Sequence, residues 1–235
     1  MNAVLTDKSA VPAEFDDAAG AYDLLTSLSP GYDYDLRRSA QRLALGAGAR
    51  VLDLCCGTGR STAALRATYP DADLVGLDAS SGMLEHARKR AGLDATLLLG
   101  DATEPAAYGA EGPFDAILMA YGIRNLPNPD RGLANIRAVL KPGGVICFHE
   151  YSVADSWWGR VKWAAVCWGV IIPLGWIFGG STTIYRYLYQ SVVQFDGVAA
   201  MEARLKRAGF VDVRTEPMGG WQRGVLHSFL ARAPR

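Results

Sequence analysis

The chain has 235 residues, half of them hydrophobic, with 24 Lys+Arg against 24 Asp+Glu. That length suits one α/β domain with an insertion, so 1–235 is taken as a single domain. The balanced charge, with no basic tail or stripe, argues against a nucleic-acid partner.

Met1–Gly20 is polar and acidic and lacks a secretory signal pattern. The four cysteines, Cys55, Cys56, Cys147 and Cys167, form no C-x-x-C pair. No His/Cys cluster has zinc spacing, so no metal is expected. They read as buried free thiols in a reducing cytoplasm, which sets the expected location.

Residues 1–49 read as a mostly helical N-terminal cap. From Arg50 onward, short apolar runs alternate with helical periodicity. The runs are Val51–Leu54, Leu74–Leu77, Thr96–Leu99, Ala116–Ala120 and Val145–Phe148, then Phe210–Val213 and Val225–Leu230. Ser61 to about Tyr69 is the first helix between them. The second runs from Ser80 to about Ala91, with Ser80 placed to cap it and Met83, Leu84 and Ala87 on one face. A third starts at Asn128-Pro129, a cap followed by proline at the first helical position. It carries Leu133, Ile136 and Leu140 on one stripe and stops at Lys141-Pro142-Gly143-Gly144. Val198, Met201 and Leu205 mark a last helix, ending at Gly209. Strands alternating with helices predict a Rossmann-like, mostly parallel sheet covered on both faces.

Residues 151–190 read as a Trp-rich helical lid inserted after the fifth strand. Within it Val161–Phe178 is apolar, but Lys162, Gly169, Pro173 and Gly175 interrupt it. It is therefore expected to fall short of the roughly 20 unbroken apolar residues of a membrane span. Trp157, Trp158, Trp163, Trp168 and Trp176 fit an amphipathic lid in peripheral contact with a bilayer or a greasy substrate. Simple burial against the domain fits them equally.

The chemistry is concentrated in Val51-Leu52-Asp53-Leu54-Cys55-Cys56-Gly57-Thr58-Gly59-Arg60-Ser61-Thr62. A strand ends in a glycine loop that opens a helix. Gly57 and Gly59 permit tight turning and close ligand approach, and the helix start presents free N–H groups. Dinucleotide enzymes share this layout, but their third glycine is here Thr62. Asp53 lies just before the loop, where a pyrophosphate would repel it. It suits a cationic amine instead, such as the methionine end of S-adenosylmethionine. Asp78 ends the second strand, 21 residues after Gly57, where an acid accepts from ribose hydroxyls. Asp101, in Gly100-Asp101-Ala102, ends the third strand and can meet the adenine amino group.

At these residues the chain resembles class I methyltransferases. It is most similar to the UbiE type, the ubiquinone/menaquinone biosynthesis C-methyltransferase family. The matching stretches include Phe15-Asp16, Ala21-Tyr22-Asp23, Gly76-Leu77-Asp78 with Met83-Leu84, and Tyr121-Gly122-Ile123-Arg124-Asn125. Tyr185-Arg186-Tyr187-Leu188 with Ser191 and Ala208-Gly209-Phe210 complete them. The resemblance implies a seven-stranded sheet with its last strand antiparallel. It implies cofactor contacts at Thr58, Asp78, Ala79, Met83, Asp101, Ala102 and Ala120, beside Asp53, Gly57 and Gly59. It also implies a hydrophobic quinone precursor methylated on a ring carbon. Three stretches depart from the family: Gly31 to Arg38 lacks its usual tryptophan, the fifth strand ends His149-Glu150-Tyr151-Ser152, and the segment after it is richer in tryptophan.

Carbon methylation of a hydroquinone needs a phenolate. A phenol of pKa about 10 is short of ionisation at neutral pH by roughly 4 kcal/mol, and a nearby cation lowers such a pKa by about 1–3 units. Arg124, after the fourth strand, is the candidate cation, against the alternative of a salt bridge that pins its loop. Asn125 would orient substrate or water, and Tyr22 would cap the methionine moiety or touch substrate. His149 is a candidate base, unless strand alternation turns it under a helix. Rival readings are a methyltransferase on another apolar acceptor (a phospholipid amine, a polyketide or other secondary-metabolite hydroxyl) and a non-catalytic S-adenosylmethionine-binding scaffold. A homodimer remains a candidate assembly.

Overall fold

The computed structural model describes residues 31–179 and 182–235, together with Lys8, Asp16, Gly20, Thr26, Ser27 and Ser29. Tyr22 lies outside the described residues, as do 24 of the 49 residues of the expected 1–49 cap.

The elements run α1 (Tyr32–Arg42), β1 (Arg50–Leu54), α2 (Arg60–Thr68), β2 (Asp73–Asp78), α3 (Ser81–Lys89), β3 (Thr96–Leu99), β4 (Phe114–Ala120), α4 (Pro129–Ala138) and β5 (Leu140–Tyr151). After them come α5 (Trp157–Val166), α6 (Ile172–Gly179), α7 (Thr183–Gln194), α8 (Val198–Arg207), β6 (Val211–Pro217) and β7 (Leu226–Arg232). The seven strands form one sheet in the order β3-β2-β1-β4-β5-β7-β6. Pairing is parallel from β3 through β5, and β7 runs antiparallel to both β5 and β6.

The caps read from sequence are in place. Ser80 Oγ accepts from Met83 N–H at 3.0 Å, and Asn128 Oδ1 accepts from Arg131 N–H at 3.0 Å. Two boundaries differ from expectation. Leu140 is not the last residue of a helix stripe: α4 ends at Ala138, and Leu140 pairs with Phe114 as the first residue of β5. Lys141-Pro142-Gly143-Gly144 is an irregularity inside β5 rather than a loop before it. The pairing register shifts between Phe114 and Ala116, which accommodates the proline and the glycine pair.

The larger correction concerns the Trp-rich insertion. Gly169, Pro173 and Gly175 do not break it. Trp157–Phe178 is one helix of 22 residues, in which a π turn at Cys167–Ile171 joins α5 to α6. Proline in a helix clashes with the carbonyl four residues back and lacks the N–H to bond it. For Pro173 that residue is Gly169, inside the π turn, where the wider ring relieves the conflict.

Two apolar layers cover the sheet. One gathers Leu52, Leu54, Ile117, Met119, Ile146 and Phe148 with α4 and α8, through Leu133, Ile136, Met201 and Leu205. The other sets Val51, Leu74, Leu118 and Cys147 against Ala40 and Leu43 at the end of α1, and Leu65 of α2. A third cluster forms outside the sheet, where Trp163, Cys167 and Ile172 meet Ile184, Tyr185, Tyr187 and Val192 of α7.

The sheet's connections run outward from β1 in one direction and from β4 in the other. The carboxyl ends of β1 and β4 therefore flank the crevice where open α/β sheets bind ligands. Residues with positive φ sit at both ends, Cys55 (φ 59) and Tyr121 (φ 58). Few non-glycine residues adopt that conformation, and it clusters at functional sites.

Candidate active site

The loop after β1 is shaped by glycine and held by acids. Gly59 has φ 80 and precedes α2, so the chain turns into the helix through a left-handed residue. Asp78 fastens the loop from β2. Its Oδ2 accepts the Gly57 N–H at 2.8 Å and its Oδ1 the Ser80 N–H at 2.9 Å. Burial pushes the Asp78 pKa up, while those backbone donors pull it down.

Asp53 is fully buried beneath the loop. Its Oδ2 accepts from Ser61 Oγ at 2.7 Å and Thr62 Oγ1 at 2.6 Å. The residue that replaces the dinucleotide enzymes' third glycine thus serves the acid. Asp53 Oδ1 has no hydrogen-bond partner among the described residues. Burial pushes its pKa up to about 7, against the two hydroxyl donors. An orphaned buried carboxylate oxygen fits a cationic ligand group, because a buried charge without a partner is costly.

Gly57, Thr58 and Ala120 line one pocket with Tyr32, Leu36, Cys55, Cys56, Arg60, Ser61 and Tyr121. Asp101 stands further along the sheet edge. It is exposed and caps its own turn, Oδ1 accepting from Thr103 N–H at 2.7 Å. The Gly100 N–H donates to the Asp78 carbonyl at 2.9 Å, which keeps the ends of β2 and β3 side by side. Ala79 is exposed, whereas Met83 and Ala102 are buried. The sequence assigned no role to Asp16. Its Oδ1 accepts from Ser80 Oγ at 2.6 Å and Gly82 N–H at 2.8 Å, so Asp16 sits against the start of α3.

The loop after β4 approaches the β1 loop closely. A Cβ at Gly122 would lie 2.7 Å from Cys55 Sγ, so only glycine fits there without a shift. Beyond it Arg124 is buried, and it is not a lone cation. Its Nη1 donates to Glu150 Oε1 at 2.8 Å and to the Tyr121 carbonyl at 2.7 Å, and its Nε donates to Ser191 Oγ at 3.2 Å. Glu150 Oε2 has no partner among the described residues. Burial raises the Glu150 pKa, opposed by Arg124. Asn125 is also engaged: Nδ2 donates to the Tyr121 carbonyl at 3.2 Å, and Oδ1 accepts from Tyr187 Oη at 3.0 Å. Arg124, Tyr187 and Ser191 line a cavity of about 340 Å³ between this loop and α7. Tyr121 therefore connects two spaces, its ring lining the β1-loop pocket and its carbonyl holding Arg124.

His149 does turn under a helix. Its ring is fully buried, with Nδ1 2.7 Å from Ser39 Oγ on α1 and Nε2 2.9 Å from Tyr121 Oη. Ser39 continues to Ser228 at 2.6 Å, and Arg42 donates to Ser228 at 2.7 Å. Burial, reinforced by the Arg42 charge, lowers the His149 pKa to about 3. The ring is neutral near pH 7 and holds Tyr121 Oη, where the sequence had offered a titrating base.

The ubiE/COQ5 methyltransferase family matches residues 3–228. The chain belongs to this family. The demethylmenaquinone methyltransferase of Clavibacter sepedonicus is 34% identical, over 100% of this chain and 98% of that protein. The enzyme of the same name from Thermus thermophilus is 36% identical, over 83% of this chain and 90% of its own length. Among solved structures, a phosphoethanolamine N-methyltransferase of Haemonchus contortus, bound to S-adenosyl-L-methionine, superposes with a TM-score of 0.70 at 18% identity. That match covers 99% of this chain and 61% of the other, and it shows the fold alone. The chain is an S-adenosylmethionine-dependent methyltransferase of the Rossmann-like class.

Proposed function

We propose that this methyltransferase places a methyl group on a ring carbon of a hydrophobic quinol, of the demethylmenaquinol or ubiquinol-precursor type. The relatives supply the acceptor class. The observation in this chain that carries the reading is the buried Arg124 guanidinium on the wall of the cavity beside Tyr121.

S-adenosylmethionine, when bound, supplies a methyl group already activated on a sulfonium. Gly57, Gly59, Thr58 and Ala120 would hold its methionine half, with Asp53 facing the amine. Asp78 and Ala79 would meet the ribose, and Asp101, Ala102 and Met83 the base. The remaining demands are to keep bulk water from the reacting atoms and to ionise the acceptor hydroxyl. A bound water would take the hydroxyl proton, and also the ring proton released once the methyl has joined the carbon. Arginine stays protonated even when buried. Arg124 therefore offers a permanent cation to a phenolate, and Glu150, Ser191 and the Tyr121 carbonyl fix its plane. Glu150 partly cancels that charge, so its effect on the phenol should fall near the lower end of the 1–3 units a neighbouring cation gives. Asn125 and Tyr187, bonded to each other, shape the same wall. Tyr22 is proposed to cap the methionine moiety or touch the substrate, and residues 151–190 to act as a lid.

The deciding experiment feeds methyl-deuterated S-adenosylmethionine and a lipid extract to the purified chain and reads the products by mass spectrometry. A labelled, ring-methylated quinol is expected. Label in a phospholipid or a polyketide, with the quinols unlabelled, would overturn the acceptor. An unlabelled extract would favour a scaffold over an enzyme.

The proposed amine contact has a pH signature. With a pKa of about 7, Asp53 is mostly protonated at pH 6 and mostly ionised by pH 7.5. Ser61, Thr62 and, through its charge, Asp78 are the groups around it. The ionised form attracts the amine, so cofactor affinity should rise several-fold over that interval. Calorimetric titration with S-adenosylhomocysteine should show this rise, and Asp53→Asn should flatten it. A flat profile for the parent chain would remove Asp53 from the amine site.

A further inference from the structure

We infer that the helix Trp157–Phe178 lies in the plane of an anionic lipid bilayer and docks the enzyme there. Of the 13 large hydrophobic side chains that stand exposed among the described residues, eight are on this one helix. Trp157, Trp158, Trp168, Trp176, Ile177 and Phe178 are each about half exposed or more.

The helix is built to keep that stripe on one side. Its buried residues are Gly159, Trp163, Cys167, Ile172 and Gly175. Steps of three or four residues return to the same face of an α-helix, whereas a step of five does not. The one five-residue step, Cys167 to Ile172, spans the π turn. Because the wider turn absorbs the extra residue, Ile172 packs on α7 as Trp163 does. Trp176 and Ile177 then remain on the open side with Trp168. A straight α-helix would instead turn Ile172 away from the domain and Ile177 toward it.

Length and hydropathy alone would permit a span: the helix has 22 residues and contains an 18-residue window with a mean hydropathy of 1.7. The packing forbids it. Only 22% of the apolar window is buried, yet that part is fastened to α7 and β5 through Trp163, Ile184, Tyr185 and Tyr151. Submerging the helix would drag exposed Arg186 and Gln194 of α7 into hydrocarbon. In-plane docking buries the tryptophans and leaves α7 behind them.

Charge selects the occupant. Residues 156–195 contain Arg160, Lys162 and Arg186 and no acid, in a chain whose charges balance as a whole. The loop at 220–224 adds exposed Trp221 and Arg223 beside the helix, since Lys162 Nζ donates to the Arg223 carbonyl at 2.7 Å. Two copies packed face to face would oppose like charges. Anionic headgroups complement them, and each cation near such a surface strengthens binding several-fold.

The test uses the full chain and vesicles without quinol or cofactor, so that it stands apart from the proposed reaction. The chain should float with phosphatidylcholine vesicles containing phosphatidylglycerol. It should bind pure phosphatidylcholine about tenfold less well, and 0.5 M salt should weaken the first toward the second. Tryptophan fluorescence should be quenched by bromines placed shallow in the acyl chains and not by deep ones. The variant W168S/W176S/I177S changes only exposed positions. It should keep its circular dichroism and S-adenosylhomocysteine affinity while losing flotation tenfold or more. No flotation of the parent, equal binding to neutral vesicles, or quenching by deep bromines would overturn the assignment. So would a concentration-dependent dimer that the triple variant abolishes, because the face would then belong to a second copy.

Discussion

Arg124→Met should cost the fold about 3–5 kcal/mol, because it leaves Glu150 buried without its cation. The penalty should depend on pH with a definite sign. Burial holds the Glu150 pKa up, and removing Arg124 removes what pulls it down. A carboxylate whose folded pKa is raised is least costly below its unfolded value and most costly as pH rises through the folded one. Chemical denaturation should therefore find the variant closest to the parent near pH 4.5 and furthest from it near pH 8. The double variant Arg124→Met/Glu150→Gln separates structure from chemistry. It removes both charges and keeps an acceptor for the Tyr151 N–H, which Glu150 Oε1 now receives at 2.9 Å. Stability should largely return, but turnover should stay about tenfold down, the lower end of the range for losing one cation beside a phenol, since Glu150 already offsets part of that charge. Glu150→Gln alone should keep most of the turnover, since it leaves the guanidinium in place. Full activity in the double variant would show that Arg124 only pins its loop.

That pair also marks where sequence reasoning stopped. Asp53, the glycine loop, Asp78, Asp101 and Arg124 were readable because each belongs to a strand end, and a strand end is a local pattern. Ser80 and Asn128 were readable as caps for the same reason. The partner of Arg124 lies 26 residues away on the neighbouring strand and has no local signature. It was reachable through topology: β4 and β5 are adjacent, so the loop after β4 lies beside the carboxyl end of β5, where Glu150 stands. The chain Tyr121–His149–Ser39–Ser228 joins β4, β5, α1 and β7, and no spacing rule links them. Strand alternation did offer the burial of His149, which α1 brings about. The Trp-rich insertion was readable as helical, but not as one continuous apolar helix, because proline and glycine count against a helix in any local scale. The π turn that accommodates them is a packing outcome, set by the need to keep Trp163 and Ile172 on α7.

Asp78→Ala should produce the largest loss of cofactor binding of any single change on the β1 side. The carboxylate holds two backbone N–H groups, Gly57 in the loop and Ser80 at the head of α3. Each is a charge-assisted bond, worth about 1.5–3 kcal/mol. Losing both frees the glycine loop from β2 and removes the proposed ribose acceptor together, so calorimetry should show affinity for S-adenosylhomocysteine falling 100-fold or more. Asp78→Asn is the sharper probe. An amide offers one oxygen and one NH₂, so whichever way it turns, a donor faces one of the two N–H groups. It should lose one anchor and the charge while keeping the side chain's shape, and its affinity should fall between parent and alanine. Thermal unfolding distinguishes the two duties. If Asp78 only braces the loop, adenosine, which makes no demand on the methionine pocket, should bind both variants as it binds the parent. If Asp78 also meets the ribose, adenosine binding should weaken in step with the full cofactor, by more than the loss of stability accounts for. An alanine variant that binds S-adenosylhomocysteine within threefold of the parent would remove Asp78 from the cofactor site.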